Sequence, residues 1–307
     1  MKVGNGNAAR ALLAAVLLGL VCFVLLVQYA PDSVAFSPNN YGWNGLQGVA
    51  SAYKVRFTTS LSTVPQKSVL VVAQPSIDFS ASEAGKVKGF LLGGGTVLVA
   101  DNSGVANSLL AEIGSAISIE EQHTISDQTY NWKSSSVPTA LVLPGVKPRF
   151  GFLANVTGIA LDTPSPLLVS GGATGLAITS QFSGYSTPKG TVRGPFVVMA
   201  EQKFGSGTLI VIGDSQVLLN SEWTVADNKV LIGNLFANAP VYIDASHWGV
   251  SSTAQVKAEL AQFYGSVSGS PSRYIATLFM VGLALALVPA KGTGPTPINE
   301  RRRGVSD

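Results

Sequence analysis

Three aspartates, an asparagine, a serine and a histidine stand where apolar runs stop, and these are the residues that could do chemistry. Asp214 and Ser215 follow Thr208 to Ile212, Asp101 follows Thr96 to Ala100, and Asp244, with His247 three residues on, follows Val241 to Ile243. Asn40 lies in an early loop rich in turn formers, Pro38-Asn39-Asn40-Tyr41-Gly42. In an open α/β sheet, polar residues just past the carboxyl ends of strands line the crevice that takes ligands. Asn40, Asp101, Asp214, Ser215, Asp244 and His247 are therefore the candidate ligand- or partner-binding residues. One reading is a small polar crevice that binds without chemistry. The other is a hydrolase or metal-dependent enzyme using Asp214, Asp244 and His247, although no paired-histidine spacing supports a metal. No catalytic residue, metal ligand or cofactor is assigned. Gathered carboxylates with no lysine or arginine in the same turns should repel one another and raise the proton affinity of at least one.

The elements that must position these residues alternate between strand and helix. Val34 to Ser37, Tyr53 to Phe57, Ser68 to Ala73, Thr96 to Ala100, Thr208 to Ile212 and Val241 to Ile243 read as strands, being short, apolar and β-branched. Leu46 to Ala52 reads as a brief helix. Ser80-Ala81-Ser82-Glu83 is a capping box that opens a helix stopped by Gly93-Gly94-Gly95. Asn107 to Ile113 is a helix ended by Gly114, and Asp227 is placed to cap a helix carrying Leu231, Leu235 and Phe236. A second capping box stands at Ser252 to Gln255. From about 115 to 202, Ser, Thr, Gly and Pro separate short apolar runs without clear helices, the texture of a β-rich insertion or edge layer. The expected fold is α/β, a doubly wound, mostly parallel sheet with this insertion. If so, Gln74, Asp101 and Asp214 share one edge.

Glycine is abundant, at 33 of 307 residues, and charged residues make up only 12 %. Apolar residues concentrate in 11–30 and again in 274–290, runs long enough to be read as an N-terminal and a C-terminal transmembrane helix. Lys2 and Arg10 precede the first run, while Lys291 and Arg301 to Arg303 follow the second. By the positive-inside rule this puts the tails 1–10 and 291–307 in the cytoplasm, and 31–265 with the linker 266–273 outside, at the cell membrane. The basic balance then belongs to the tails, which removes the footing for nucleic-acid binding. The lipid bilayer is an expected partner. Asn155-Val156-Thr157 is a glycosylation sequon in the part placed outside. The single cysteine, Cys22, falls in the first apolar run, so the region between the runs has no thiol nucleophile.

Together, Asn40-x-Gly42, the glycine triplet before Thr96 to Asp101, Gly194-Pro195-Phe196, Gly205-x-Gly207, Gly213-Asp214-Ser215, Asn220, Asp227-Asn228, Asn234 and Asp244-x-x-His247 resemble a prokaryotic membrane-anchored family of unknown function, the DUF4350 type. The resemblance runs from about residue 37 to residue 248. It implies a class I glutamine amidotransferase-like, flavodoxin-like fold, and a kinship with auxiliary domains beside gliding-motility-type ABC transporters. It also implies a membrane-protein partner, often in systems with MoxR-type ATPases. The amidotransferase nucleophile is missing, and Gly213-Asp214-Ser215-Gln216-Val217 lacks the second glycine of a serine elbow. The expected function is accordingly a non-catalytic binding, sensing or scaffold domain whose small-molecule ligand, if any, the sequence leaves open.

Overall fold

The computed structural model describes residues 34–248 except 149 and 238, together with Ala15, Val16, Leu18 and Gly19. In chain order the strands are β1 (Arg56–Thr58), β2 (Val69–Ala73), β3 (Thr96–Ala100), β4 (Ile117–Ile119), β5 (Ser126–Asp127), β6 (Asn131–Trp132), β7 (Ser134–Val142) and β8 (Gly158–Ala160). They continue with β9 (Leu167–Val169), β10 (Ala173–Ile178), β11 (Ser183–Thr187), β12 (Gly190–Arg193), β13 (Val197–Phe204), β14 (Gly207–Ile212) and β15 (Val241–Asp244). Helices occupy Gln47–Tyr53, Ala81–Leu92, Asn107–Ile113 and Asn228–Phe236.

The main sheet runs β1-β15-β2-β3-β14-β13-β10-β7-β6, with β8 also on β7. From β1 to β14 every pairing is parallel; from β14 onward every pairing is antiparallel. The expected doubly wound, mostly parallel sheet is thus corrected to a mixed sheet with few helices. Part of the supposed insertion, β13, β10, β7, β6 and β8, extends the sheet itself. The reason is local: Gly205 and Ser206 alone connect Phe204 to Gly207, and a two-residue link can only join antiparallel neighbours. Gly205 adopts φ +54° to make that turn. A β-carbon on Gly207 would stand 2.2 Å from the Leu91 carbonyl oxygen and 2.3 Å from that of Gly95, so the strand also needs glycine to enter the sheet.

Alternation along the strands divides two cores. In β2, Val69, Val71 and Ala73 face the layer holding Val49, Leu231 and Leu235, while Leu70 and Val72 face Val87, Leu91 and Leu110. Helices therefore cover both faces of the parallel half, which explains why its strands are apolar throughout rather than alternating.

Other expectations change too. Among the described residues no helix is long and apolar enough to cross a membrane, so the flanking transmembrane helices find no support in the structure. The ranges assigned to them, 11–30 (its four described residues aside) and 274–290, lie outside the described residues, as does the capping box at Ser252. Val34 to Ser37 forms no strand; Phe36 turns at φ +60° and donates its N–H to the Asn44 carbonyl at 2.9 Å. Asp227 makes no capping bond to its own helix. Its Oδ2 instead accepts from Thr157 N and Oγ1, each at 2.8 Å, and from Gly158 N at 3.1 Å, bonds that hold its carboxyl below the usual range. Asn155 of the sequon is exposed at φ +59°, and the Thr157 hydroxyl is the one engaged by Asp227.

Candidate functional site

Parallel neighbours end at the same edge, so the residues after β2, β3, β14 and β15 collect there. Asp101 is fully buried, and its own loop fills it. Its Oδ1 accepts from Ser103 N at 2.8 Å and Ser103 Oγ at 2.6 Å, and its Oδ2 from Gly104 N at 3.1 Å and Ala106 N at 3.0 Å. It shapes the turn into the helix Asn107–Ile113. Ser215 donates from Oγ to Gln74 Oε1 and, at 3.5 Å, faces Asn102 Oδ1. Amide oxygens are poor bases, so this hydroxyl is not activated as a nucleophile.

Asp214 is also fully buried. Its Oδ1 accepts from Gln216 N and its Oδ2 from Asp162 N, both at 2.8 Å. Burial raises its pKa to about 8; the two amides oppose the rise, and the charges of Asp162 and Glu222 add to it. Burial also raises Glu222, with Asp162 adding and Lys133 opposing, and burial raises Asp162. Glu222 follows no strand, and the strand before Asp162, Gly158–Ala160, has only three residues and no β-branched run to mark it in the sequence. The flanking prolines, Pro164 and Pro166, were the one available sign of an ordered crossing.

That crossing is a strap, Leu161 to Pro166, laid over the sheet edge. Gln216 Nε2 donates to the Asp162 carbonyl and to Thr163 Oγ1, each at 2.9 Å, and Asn102 Nδ2 donates to the Thr163 carbonyl at 3.1 Å. Ser165 N donates to the Gly213 carbonyl at 2.7 Å, while its Oγ donates to the Asn102 carbonyl at 2.8 Å. The protein's own backbone therefore occupies the part of the crevice above β3 and β14. A β-carbon on Gly213 would come 2.1 Å from the Ser165 carbonyl oxygen. Gly213→Ala should therefore lift the strap, costing about 1–3 kcal/mol as overpacking does. Hydrogen exchange at the Asp162 and Ser165 amides should accelerate selectively; unchanged protection there would show that the strap is not held this way.

The second cluster lies beyond β2 and β3. Asp244 Oδ1 accepts from Ser246 N at 3.0 Å and Ser246 Oγ at 2.5 Å, and its Oδ2 meets His247 Nδ1 at 2.6 Å. His247 Nε2 faces Glu83 Oε2 at 3.7 Å, and its ring stacks on Phe79 at 3.6 Å. Burial pulls the imidazole down, but the hydrogen bond and charge of Asp244, helped by Glu83, leave it raised above an ordinary histidine. Glu83 completes the capping box with Ser80 as well, and the Ser80 bonds chiefly hold its carboxyl low. With carboxylates at both nitrogens, the ring is a clamp from β15 to the helix Ala81–Leu92 rather than a free base. Trp248 adds a bond from Nε1 to the Ala73 carbonyl at 2.7 Å.

Three strand spacings separate β15 from β14, about 14 Å. Asp214 therefore does not join Asp244 and His247 in one set, and no group of three or more His, Cys, Asp or Glu placed to hold a metal ion occurs among the described residues. Asn40 turns into its own loop, donating from Nδ2 to the Val34 carbonyl at 2.9 Å and Asn44 Oδ1 at 2.8 Å, and accepting from Gly42 N at 2.7 Å. Asn220 braces the same loop, donating to the carbonyls of Asn40 and Gly42 at 3.0 and 2.7 Å.

In structure the chain is similar to an IFT52 N-terminal domain ("mmIFT52"), with a TM-score of 0.50 at 17 % identity over 67 % of this chain and 93 % of that one, a likeness of fold. It also overlaps a β-galactosidase from Bacillus circulans sp. alkalophilus at a TM-score of 0.33 and 17 % identity, over 56 % of this chain and 23 % of that one. No curated protein matches its sequence. The model of the domain of unknown function DUF4350 matches residues 35–236. The chain belongs to the DUF4350 family.

Proposed function

We propose that this is a non-catalytic binding or scaffold domain that engages a protein partner through the loop Asn39 to Asn44. One observation carries the reading: Tyr41 and Trp43 are 65 % and 68 % exposed on a loop whose backbone is held by Asn40, Asn220 and the bond from Ser221 N to the Trp43 carbonyl. Aromatic side chains on a pre-ordered loop give up little conformational freedom on binding, which is why they dominate interface energetics. The filling of Asp101, Asp214 and Ser215 by the chain's own donors and acceptors further supports binding over chemistry. The kinship with auxiliary domains of ABC transporters and MoxR-linked systems, implied by the sequence resemblance, makes a membrane protein the partner to seek first, with the domain outside the cytoplasm.

The test uses a photo-crosslinking residue at position 43 of the full chain in its native cells, with position 168, also exposed at 56 % but distant in sequence, as control. A discrete adduct from position 43, lost on competition by excess wild-type protein and absent from 168, is the expected result. The double variant Tyr41→Ala/Trp43→Ala should keep its melting temperature and lose co-purification of the same protein. Adducts that are absent at 43, or equal at both positions, overturn the assignment.

A further inference from the structure

At the far end of β14 from Asp214, about 20 Å along the strand, lies a pocket of 270 Å³ lined by Lys147, Gly172, Thr174, Glu201, Lys203 and Thr208. The sheet register explains its composition. Lys203 pairs directly with Thr208 across β13 and β14, and Thr174 pairs with Glu201 across β10 and β13. Residues paired in an antiparallel ladder project from the same face. Glu201 pairs with Ile210, and two-residue alternation puts Lys203, Thr208 and Thr174 on that face also. Lys147 arrives from the loop after β7.

Thr208 is the informative member. It is 1 % exposed, and its Oγ1 has no hydrogen-bond partner among the described residues. The next four residues of the strand are Leu209, Ile210, Val211 and Ile212, and valine would fill position 208 with the same shape and no polar atom. A buried hydroxyl without an acceptor is unfavourable unless something else supplies one. Beside it stand two ammonium groups on exposed side chains, free to swing onto a bound group, and the exposed Thr174 hydroxyl.

We infer that this pocket binds a small molecule through an oxyanion group, a phosphate or a carboxylate, held by Lys147 and Lys203 and accepting a hydrogen bond from Thr208 Oγ1. Glu201 is the one carboxylate among the described lining residues, so the pair of lysines is in excess there by one charge. At 270 Å³ the space lies at the small end of ligand pockets, suited to a headgroup or a short-chain metabolite rather than a nucleotide. This site is independent of the Tyr41 and Trp43 loop, so either assignment can fail alone.

The experiment is titration of the full chain with inorganic phosphate and, separately, acetate, against chloride at equal ionic strength, read as melting temperature and by calorimetry. A saturable response to phosphate or to acetate, absent with chloride, is expected, and whichever anion gives it identifies the group. Thr208→Val, which keeps shape and removes the donor, should weaken binding about tenfold, as loss of a hydrogen bond to a charged group does. Lys147→Gln/Lys203→Gln, changing exposed side chains only, should abolish the response with folding intact, and it decides the matter even if Thr208→Val fails to fold. Failure of both anions to exceed chloride overturns the inference, as does a response that the lysine double variant retains.

Discussion

Asp214→Asn is expected to flatten the dependence of stability on pH between about 4 and 8, and to make the variant more stable than wild type above pH 8. The folded pKa of about 8 lies well above the unfolded value of about 3.9. Because the folded state holds the proton more tightly, the stabilisation is fully present below pH 4 and is lost as pH rises to 8. Each unit of the difference corresponds to about 1.4 kcal/mol, so wild type should lose several kcal/mol across the window, a large share of a typical domain's stability. Asparagine cannot ionise. It has one acceptor oxygen where the aspartate uses two, so the N–H of either Gln216 or Asp162 loses its partner, costing about 1–3 kcal/mol. Denaturant melts from pH 4 to 9 should therefore show two curves that cross: wild type ahead in acid, the variant ahead in base. Parallel curves would mean that Asp214 is ionised in the fold throughout and that the two amides outweigh its burial.

His247→Ala should be the most damaging single change in neutral solution. Asp244 is 2 % exposed, and removal of its partner leaves a buried carboxylate whose remaining side-chain support, among the described residues, is Ser246. Breaking a buried pair in this way costs about 3–5 kcal/mol, which in a domain of this size lowers the melting temperature by about 10 °C. The stack on Phe79 and the contact with Glu83 go with it. Asp244→Asn should cost less, since its amide oxygen still accepts from Nδ1. The pH dependence gives a separate check. The raised pKa of His247 makes its contribution complete below the ordinary histidine value and lost as pH rises through the folded one. In an Asp214→Asn background, which removes the larger slope, a residual fall above about pH 6.5 should be present with His247 and absent with alanine. A His247→Ala protein as stable as its parent would show that the clamp carries no load, and would return the imidazole to the list of groups available for chemistry.

Some elements are legible in the sequence because their causes are local. Thr96–Ala100 and Asn107–Ile113 form as read, the one from a run of apolar β-formers between glycine and aspartate, the other ended by Gly114 in the left-handed conformation. The capping box at Ser80 and Glu83 depends on four consecutive residues and is present in full. The shared edge of Gln74, Asp101 and Asp214 follows from three parallel strands of similar length. What the chain does at longer range was decided by packing. The link at Gly205 and Ser206 was visible as a turn, yet only the assembled sheet shows that β13 continues it antiparallel and draws β10, β7 and β6 after it. Asp227 looks like a helix cap by position, but Thr157 and Gly158, some 70 residues away, compete for the same oxygen and take it. Glu83 meets His247 across 164 residues of sequence, and the Asp162 strap meets Asp214 across 52. The proton on Asp214 belongs to the same class. Residue type sets where a carboxyl titrates in water, whereas burial, a property of every segment that surrounds it, sets where it titrates in the fold.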